Sequence, residues 1–183
     1  MKELNSRLAI GGKFYVKHYR DGKLLDSDES CNIFVDDGLV YALNVALGQS
    51  VGGTPALIPT FYIGLSRANR TWQSTDNAAT INSVANEMEL YDELTRPAWT
   101  PSTLAVPGAI EITDTGVEAE FTVSDLSGGT ETIYGAFLIS TSAKDGASDG
   151  SATLIAGSNF SNTKVLSTAD SFKVGYVLKA QAV

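Results

Sequence analysis

ETIYGAFLIS, residues 131–140, is the most continuously apolar run of this 183-residue chain. Turn residues border it on both sides, with Ser-Gly-Gly at 127–129 and Lys-Asp-Gly at 144–146. A short apolar run that is rich in β-branched and aromatic residues and bounded by turn signals predicts a strand buried on both faces. We therefore expect residues 131–140 to lie in the middle of a sandwich or barrel, with other strands packed around them.

A second apolar run, TFYIGLS at residues 60–66, has the same character and also carries a central glycine. Gly64 and Gly135 each predict a β-bulge or a close approach of a neighbouring chain segment, and we expect the two runs to pair as central strands. Further strands are predicted where apolar and polar residues alternate or where short apolar runs lie between turns: residues 12–20, 23–25, 32–35, 109–113, 117–123, 152–158, 163–167 and 171–180.

Helical periodicity is convincing at one place, residues 36–47, where Asp36 can cap the first turn and Gly48 is a stop signal. Val40 and Leu43 belong to the apolar stripe that this helix should pack on a sheet. Residues 87–94 predict one or two additional helical turns.

Strands about ten residues apart, joined by turns, are typical of sandwiches and jelly rolls. The predicted fold class is mainly β: an antiparallel β-sandwich, jelly-roll-like, with one short α-helix at about residues 36–47. No repeat or internal linker divides the chain, so we expect an N-terminal arm at 1–11 and a single β-sandwich domain at 12–183.

Composition disfavours several function classes. The net charge of −8 at pH 7 repels nucleic-acid phosphate, so no nucleic-acid partner is expected. Residues 1–10 lack the apolar core of a signal peptide, and no run has the length of a membrane span, so no membrane partner is expected either. Without a second cysteine the chain has no internal disulfide, which fits folding in a reducing cytoplasm.

The residues with chemical potential predict no catalytic, cofactor or metal site. Cys31 is expected to be a small buried residue, and His18 a strand residue facing solvent or a neighbouring ring. The acidic residues of 87–93 fit a solvated helical face, and the Asp-rich stretches 26–29 and 145–150 fit ordinary loops. A glycosidase that uses carboxylates alone, with Glu87 or Glu89, stays open as a minor alternative.

Two segments are the interface candidates. The N-terminal arm offers Leu4, Arg7 and Leu8, and is either mobile or docked on a neighbouring chain. The long polar excursion at 67–85 offers Arg67, Arg70 and Trp72. Trp72 itself has two interpretations, a local plug over the core or an anchor in an interface.

Four segments in order resemble one protein family. They are GKFYVKHYRDGKLLDSDESCNIFVDDGLVYALNVALG at 12–48, TFYIGLS at 60–66, NEMELYDELTRPAW at 86–99, and ETIYGAFLISTSA at 131–143 followed by ATLIAGSNF at 152–160. This order is similar to that of small virion structural proteins of tailed bacteriophages.

The resemblance implies a β-rich module without catalysis or cofactor. It favours a capsid cement or decoration protein on the outer capsid surface, made in the host cytoplasm. Its expected partners are the major capsid protein and itself, as a homo-oligomer with a trimer favoured. The alternative within the resemblance is a tail-fibre or tail-tip module that binds a host receptor or carbohydrate, with Trp72, Trp99 and exposed tyrosines stacking on sugar rings.

Overall fold

The computed structural model describes residues 8–46, 50–51, 54–55, 60–101, 111–112, 118–144 and 152–182. In this part of the chain the strands are, in order, β1 (Leu8–Arg20), β2 (Lys23–Cys31), β3 (Ile33–Phe34), β4 (Ser50–Val51), β5 (Thr54–Pro55), β6 (Phe61–Ser66), β7 (Ala98–Trp99), β8 (Glu111–Ile112), β9 (Ala119–Val123), β10 (Glu131–Ile139), β11 (Leu154–Leu166) and β12 (Asp170–Ala182). The helices are α1 (Asp36–Ala46) and α2 (Ile81–Ala85), the latter preceded by a 3-10 turn at Ala78–Thr80.

The first sheet has the order β2–β1–β12, and both β8 and β9 pair with the far edge of β12, all antiparallel. The alternation predicted for β1 is confirmed, because Phe14, Val16 and His18 are the buried residues of 12–20. The predicted boundary of the arm is wrong: β1 begins at Leu8, which lies opposite Ala182, so residues 8–11 belong to the sheet.

The second sheet has the order β3–β11–β10–β6–β7, which confirms a mainly β fold with two antiparallel sheets. Strand β10 lies at its centre and pairs with β6, as the two apolar runs predicted. Phe137 lies opposite Gly64 on one side and Gly157 on the other. A Cβ at Gly64 would overlap the Phe137 ring, so the prediction of a close approach is confirmed there.

Strand β11 departs from its prediction as two separate strands at 152–158 and 163–167. It is one strand, but its register with β10 jumps, since Gly135 pairs with Asn159 and Ile133 pairs with Lys164. The β11 residues between these two pairs, 160–163, lie along β2 of the first sheet, where the Asn162 N–H donates to the Asp28 carboxylate at 2.9 Å. Because of this shift in register, β11 contacts both sheets along one edge.

Two apolar clusters cover the two faces of the second sheet. The cluster between the sheets holds residues of both, such as Phe14, Phe121 and Phe172 from the first and Ile63 and Leu138 from the second. The other cluster lies on the outer face of the second sheet, where side chains of the excursion 67–85 pack on β10 and β11. This segment, predicted as a long loop, is thus a third layer that contains α2, and β10 is buried on both sides.

Helix α1 matches its prediction within the described residues, which end at Ala46, but its buried face does not. Val40 and Leu43 are half exposed. Gly38 is buried instead, so close to β11 that a Cβ there would overlap the carbonyl oxygen of Ile155. The helix docks through its small residue because this lets its backbone approach the sheet.

A polar network closes the end of the first sheet. The carboxylate of Asp170 is buried and accepts hydrogen bonds from the Arg20 guanidinium at 2.6 and 2.8 Å and from the Ser167 N–H at 2.8 Å. His18 Nε2 lies 2.9 Å from the same carboxylate, and its ring stacks on Phe172 at 4.6 Å. His18 therefore faces a ring, one of its two predicted settings, and is not exposed.

The stability that this network gives to the fold depends on pH. Burial alone would raise the pKa of Asp170, but hydrogen bonds from Arg20, Ser167 and His18 outweigh it and lower the pKa to about 2. A carboxyl group with a depressed folded-state pKa stabilises the fold above its unfolded pKa and loses this contribution as the pH falls through the folded value. We expect a loss of about 2 kcal/mol of unfolding free energy between pH 4 and pH 2 from this group.

Urea unfolding of Asp170→Asn at pH 7, 4 and 2 measures this contribution. The variant is expected to be less stable than wild type at pH 7, because Arg20 and His18 lose the negative charge and one acceptor oxygen of their partner. Its stability should fall less between pH 4 and pH 2. Asp21→Asn removes a charge from an exposed turn and is expected to keep the wild-type decline. A decline in Asp170→Asn as steep as in wild type would contradict the assignment.

Candidate functional site

The predicted interface residues do not come together into one site. Leu4 and Arg7 lie outside the described residues, and Leu8 is the first residue of β1. Arg67 and Arg70 lie in the layer that covers the second sheet, and each side chain is about 30% exposed, with values of 28% and 30%. Trp72 belongs to the same layer, and its side chain is turned toward the sheet.

Trp72 is a plug and not an interface anchor. It is buried, its ring lies flat on Gly157, where a Cβ would overlap it, and its centroid is 6.1 Å from that of Phe137. Trp99 is buried as well, and its Nε1 donates to the carbonyl oxygen of Tyr176 at 3.1 Å. Neither tryptophan has a free face for a sugar ring.

Arg67 and Arg70 hold the covering layer in place. Arg70 Nη2 donates to both carboxylate oxygens of Asp76 at 2.9 and 2.7 Å, and Asp76 also accepts the Gln73 N–H at 2.8 Å. Arg67 donates to the Asn86 carbonyl oxygen at 3.2 Å and lies 3.5 Å from the Glu131 carboxylate. These arginines are engaged within the fold.

The single cysteine was predicted to be buried, and this is wrong. Cys31 is exposed at the end of β2, where the strand lies at the edge of its sheet. Among the described residues no group of three or more His, Cys, Asp or Glu side chains could hold a metal ion. None of the helices in the described ranges has the length and apolar character needed to cross a bilayer.

Residues 87–96 form a loop that is fixed by polar contacts at several points, and we call it the clamped loop. The two ends, or stems, of the loop lie along the same edge of β6. At the first end, Glu87 forms a backbone β-bridge with Ser66, and at the second, the Ile63 N–H donates to the Pro97 carbonyl oxygen. A compact loop whose ends are close, without regular secondary structure, is an Ω-type loop, a class that is often functional. The helical turns predicted at 87–94 are therefore wrong.

A buried ion pair joins the two stems. Arg96 donates from Nε to Glu87 Oε1 at 2.8 Å and from Nη2 to Oε2 at 2.7 Å, and both side chains are fully buried. Arg96 also donates to the Thr141 carbonyl oxygen at 3.1 Å, and its guanidinium lies 5.6 Å from the Phe137 ring centroid. A bidentate, charge-assisted pair of this kind fixes geometry as well as charge.

Glu87 was predicted to lie on a solvated helical face, and this is wrong. Its carboxylate is closed off by Arg96, so it is not open to a substrate, which removes it as a candidate acid or base. Arg96 was not recognised from sequence as a functional or structural group. The available signal was its position, since it is the one basic residue within 87–96 and directly precedes a proline.

Lys144 holds the middle of the clamped loop. Its Nζ donates to the carbonyl oxygens of Tyr91 at 2.8 Å and Glu93 at 2.6 Å and lies 4.1 Å from the centroid of the Tyr91 ring. The Tyr91 ring is buried edge-on against Phe121, with centroids 5.0 Å apart. Burial, and after it the charge of Glu87, raises the pKa of Tyr91.

The outer part of the clamped loop caps the edge of β9. The Thr122 N–H donates to both carboxylate oxygens of Glu93 at 3.1 Å, and Ser124 donates through N–H and Oγ to Asp92 at 3.2 and 2.8 Å. The Asp92 N–H in turn donates to the Thr122 carbonyl oxygen at 2.8 Å. These bonds satisfy an edge that would otherwise offer backbone groups to another strand.

Several exposed side chains of the clamped loop are apolar or acidic. Leu94 is 92% exposed and Leu90 is 50% exposed, and Glu89 and Asp92 are exposed beside them. The loop is held at both stems, at its middle and along β9, so these side chains are presented on a fixed backbone. Such an arrangement is suited to binding a protein surface, because it offers apolar anchors and charge on a fixed backbone.

No protein-family model, curated protein or solved structure matches this chain.

Proposed function

We propose that this protein is a non-enzymatic virion structural protein of a tailed bacteriophage, a capsid cement or decoration protein that binds across major capsid subunits. The observation that carries the proposal is the spatial arrangement of the segments that resemble the family. The "FYIGL" and "GAFL" segments are neighbouring strands β6 and β10, and the segment that follows the "GAFL" run contains β11, the other neighbour of β10.

The third resembling segment, residues 86–99, contributes the same kind of support. Its Glu87, Tyr91, Arg96 and Trp99 carry the "E…Y…RP.W" pattern, and all four are buried. The first three fix the clamped loop, and Trp99 belongs to β7, which pairs with β6. The segments that carry the resemblance thus lie together in the second sheet and its clamped loop, and this arrangement supports the proposal.

The proposed role requires a stable interface and no chemistry. A protein that binds assembled capsid, and not the separated subunits, stabilises the shell by mass action. A symmetric homo-oligomer, with a trimer favoured, would contact several capsid subunits at once. The net charge of −8 is compatible with a place outside the shell, since it disfavours contact with the packaged DNA.

Capsid binding tests the proposal directly. Purified protein is mixed with capsids assembled without it, and the mixture is sedimented. We expect co-sedimentation with saturable stoichiometry and a rise in the temperature at which the capsids release DNA, with light scattering reporting a trimer in solution. A monomer that stays in the supernatant and leaves the release temperature unchanged would refute the cement role.

Immunogold labelling of intact virions separates this role from the tail alternative. Label over the head is the expected result, and label over the tail would favour a fibre or tail-tip module. Since Trp72 and Trp99 are buried, a carbohydrate-binding version of that alternative would rest on tyrosines alone.

A further inference from the structure

We infer that the clamped loop is the contact through which this protein binds its partner, with Leu90 and Leu94 entering apolar sockets that lysine or arginine side chains surround. This inference deepens the proposed function and rests on it, since it takes the partner to be the protein surface of the capsid. The carrying observation is a pair of exposed leucines on a loop fixed by buried polar contacts.

Leu90 and Leu94 are left exposed by the part of the chain that the structure describes. Leu94 is the most exposed of the large apolar side chains in the described residues, and Leu90 lies four positions before it. Met88 and Tyr91 of the same loop are buried in the core between the sheets. The apolar residues of the loop therefore form two sets. Met88 and Tyr91 pack inward, whereas Leu90 and Leu94 face outward, where a partner can contact them.

The fixed backbone makes this display suitable for tight binding. Association costs conformational entropy when a loop must become ordered, and a loop that is already fixed avoids this cost. The Glu87–Arg96 pair closes its base, Lys144 bonds its middle, and Asp92 and Glu93 bond the edge of β9. The anchors are thus held in place before the partner arrives.

Charge decides what kind of surface the loop fits. Glu89 and Asp92 are exposed beside the leucines, Glu93 is half-buried nearby, and the one basic residue of the loop, Arg96, is buried against Glu87. The exposed rim is therefore acidic, and it is complementary to a basic surface. A symmetric contact between two copies through this loop would place these carboxylates against one another, which disfavours a second copy as the occupant.

The test compares two double variants of the full chain. Leu90→Ser/Leu94→Ser removes the proposed anchors, and Leu24→Ser/Leu25→Ser removes another exposed pair, 55% and 51% exposed like Leu90 but less than Leu94, on the β1–β2 hairpin. Both should melt at the wild-type temperature, because neither pair is buried. Affinity for capsids assembled without this protein should fall at least tenfold for the loop variant and less than twofold for the hairpin variant.

A charge variant tests the acidic rim. Glu89→Lys should slow association with capsids several-fold and flatten the dependence of the association rate on salt concentration, with little change in dissociation. Asp37→Lys, at an exposed acidic residue of α1, makes the same charge change outside the clamped loop, and it should stay within twofold of the wild-type rate.

The outcomes distinguish a failure of the loop contact from a failure of capsid binding. If wild-type protein binds capsids and the loop variant binds equally well, the inference is overturned and the proposed function stands. Equal weakening by the hairpin variant, or a changed oligomeric state of the loop variant in sedimentation equilibrium, would also overturn it. If wild-type protein binds no capsid, the proposed function fails, and this inference fails with it.

Discussion

Arg96→Met is expected to lower the free energy of unfolding by about 3–5 kcal/mol, because it leaves the carboxylate of Glu87 buried without its counter-charge. Both side chains of this pair are fully buried, and Arg96 Nε and Nη2 donate to the two oxygens of Glu87 at 2.8 and 2.7 Å. Water cannot replace the guanidinium at this depth without opening the clamped loop. The measurement is urea unfolding at pH 7, followed by tryptophan fluorescence.

The comparison with other variants separates the buried charge from the loss of a contact. Glu87→Leu/Arg96→Met removes both charges and should recover a large part of the lost stability, since an apolar pair of similar volume replaces a buried ion pair at little cost. Lys173→Met breaks an exposed pair with Glu120, whose side chains are 37% and 52% exposed, and should cost less than about 1 kcal/mol. If Arg96→Met costs no more than Lys173→Met, the pair does not hold the loop.

The central strands were predictable because their signal is local. Residues 131–140 and 60–66 carry β-branched and aromatic side chains in short runs between turn residues, and this combination favours a strand. Their central glycines also predicted close packing, which the contact between Gly64 and the Phe137 ring bears out. The alternation in residues 12–20 was predictable for the same reason, since it has period two.

The clamped loop was not predictable because its structure depends on distant partners. Glu89, Asp92 and Glu93 have the spacing of one helical face, and nothing nearby in sequence argues against a helix. Two distant sets of contacts help to decide the conformation, Lys144 at the carbonyl oxygens of Tyr91 and Glu93 and the N–H groups of β9 at Asp92 and Glu93. The pair of Glu87 and Arg96 then closes the loop on itself. Tertiary contacts override local propensity here, as they often do in short segments.

Helix α1 illustrates the same limit in a segment whose type was predicted. Its 3.6-residue period indicated a helix, but the period alone cannot say which surface docks. Gly38 permits the closest approach to Ile155, and this approach turns Val40 and Leu43 outward. Trp72 is the converse case, since a tryptophan in a polar excursion fits both a plug and an anchor until Gly157 is known to lie beneath it.

Gly135→Ala is the second change for which a large effect is expected, a loss of about 3 kcal/mol or more through overpacking. A Cβ at this position would overlap the carbonyl oxygen of Ser158 and lie 2.9 Å from the Cα of Asn159. Both atoms are backbone, and Asn159 is the β11 partner of Gly135 at the point where the register jumps. The obstruction cannot move aside as a side chain would, so β10 and β11 must separate locally.

Two other glycines provide the controls for this prediction. Gly11→Ala in β1 meets no atom within 4 Å, and its stability should stay within about 1 kcal/mol of wild type. Gly64→Ala meets the Phe137 ring, a side chain, so Phe137→Leu in the same chain should restore part of its loss. No single side-chain replacement should rescue Gly135→Ala in the same way. If urea midpoints of Gly135→Ala and Gly11→Ala coincide, the close packing of β10 on β11 is not what fixes the centre of this fold.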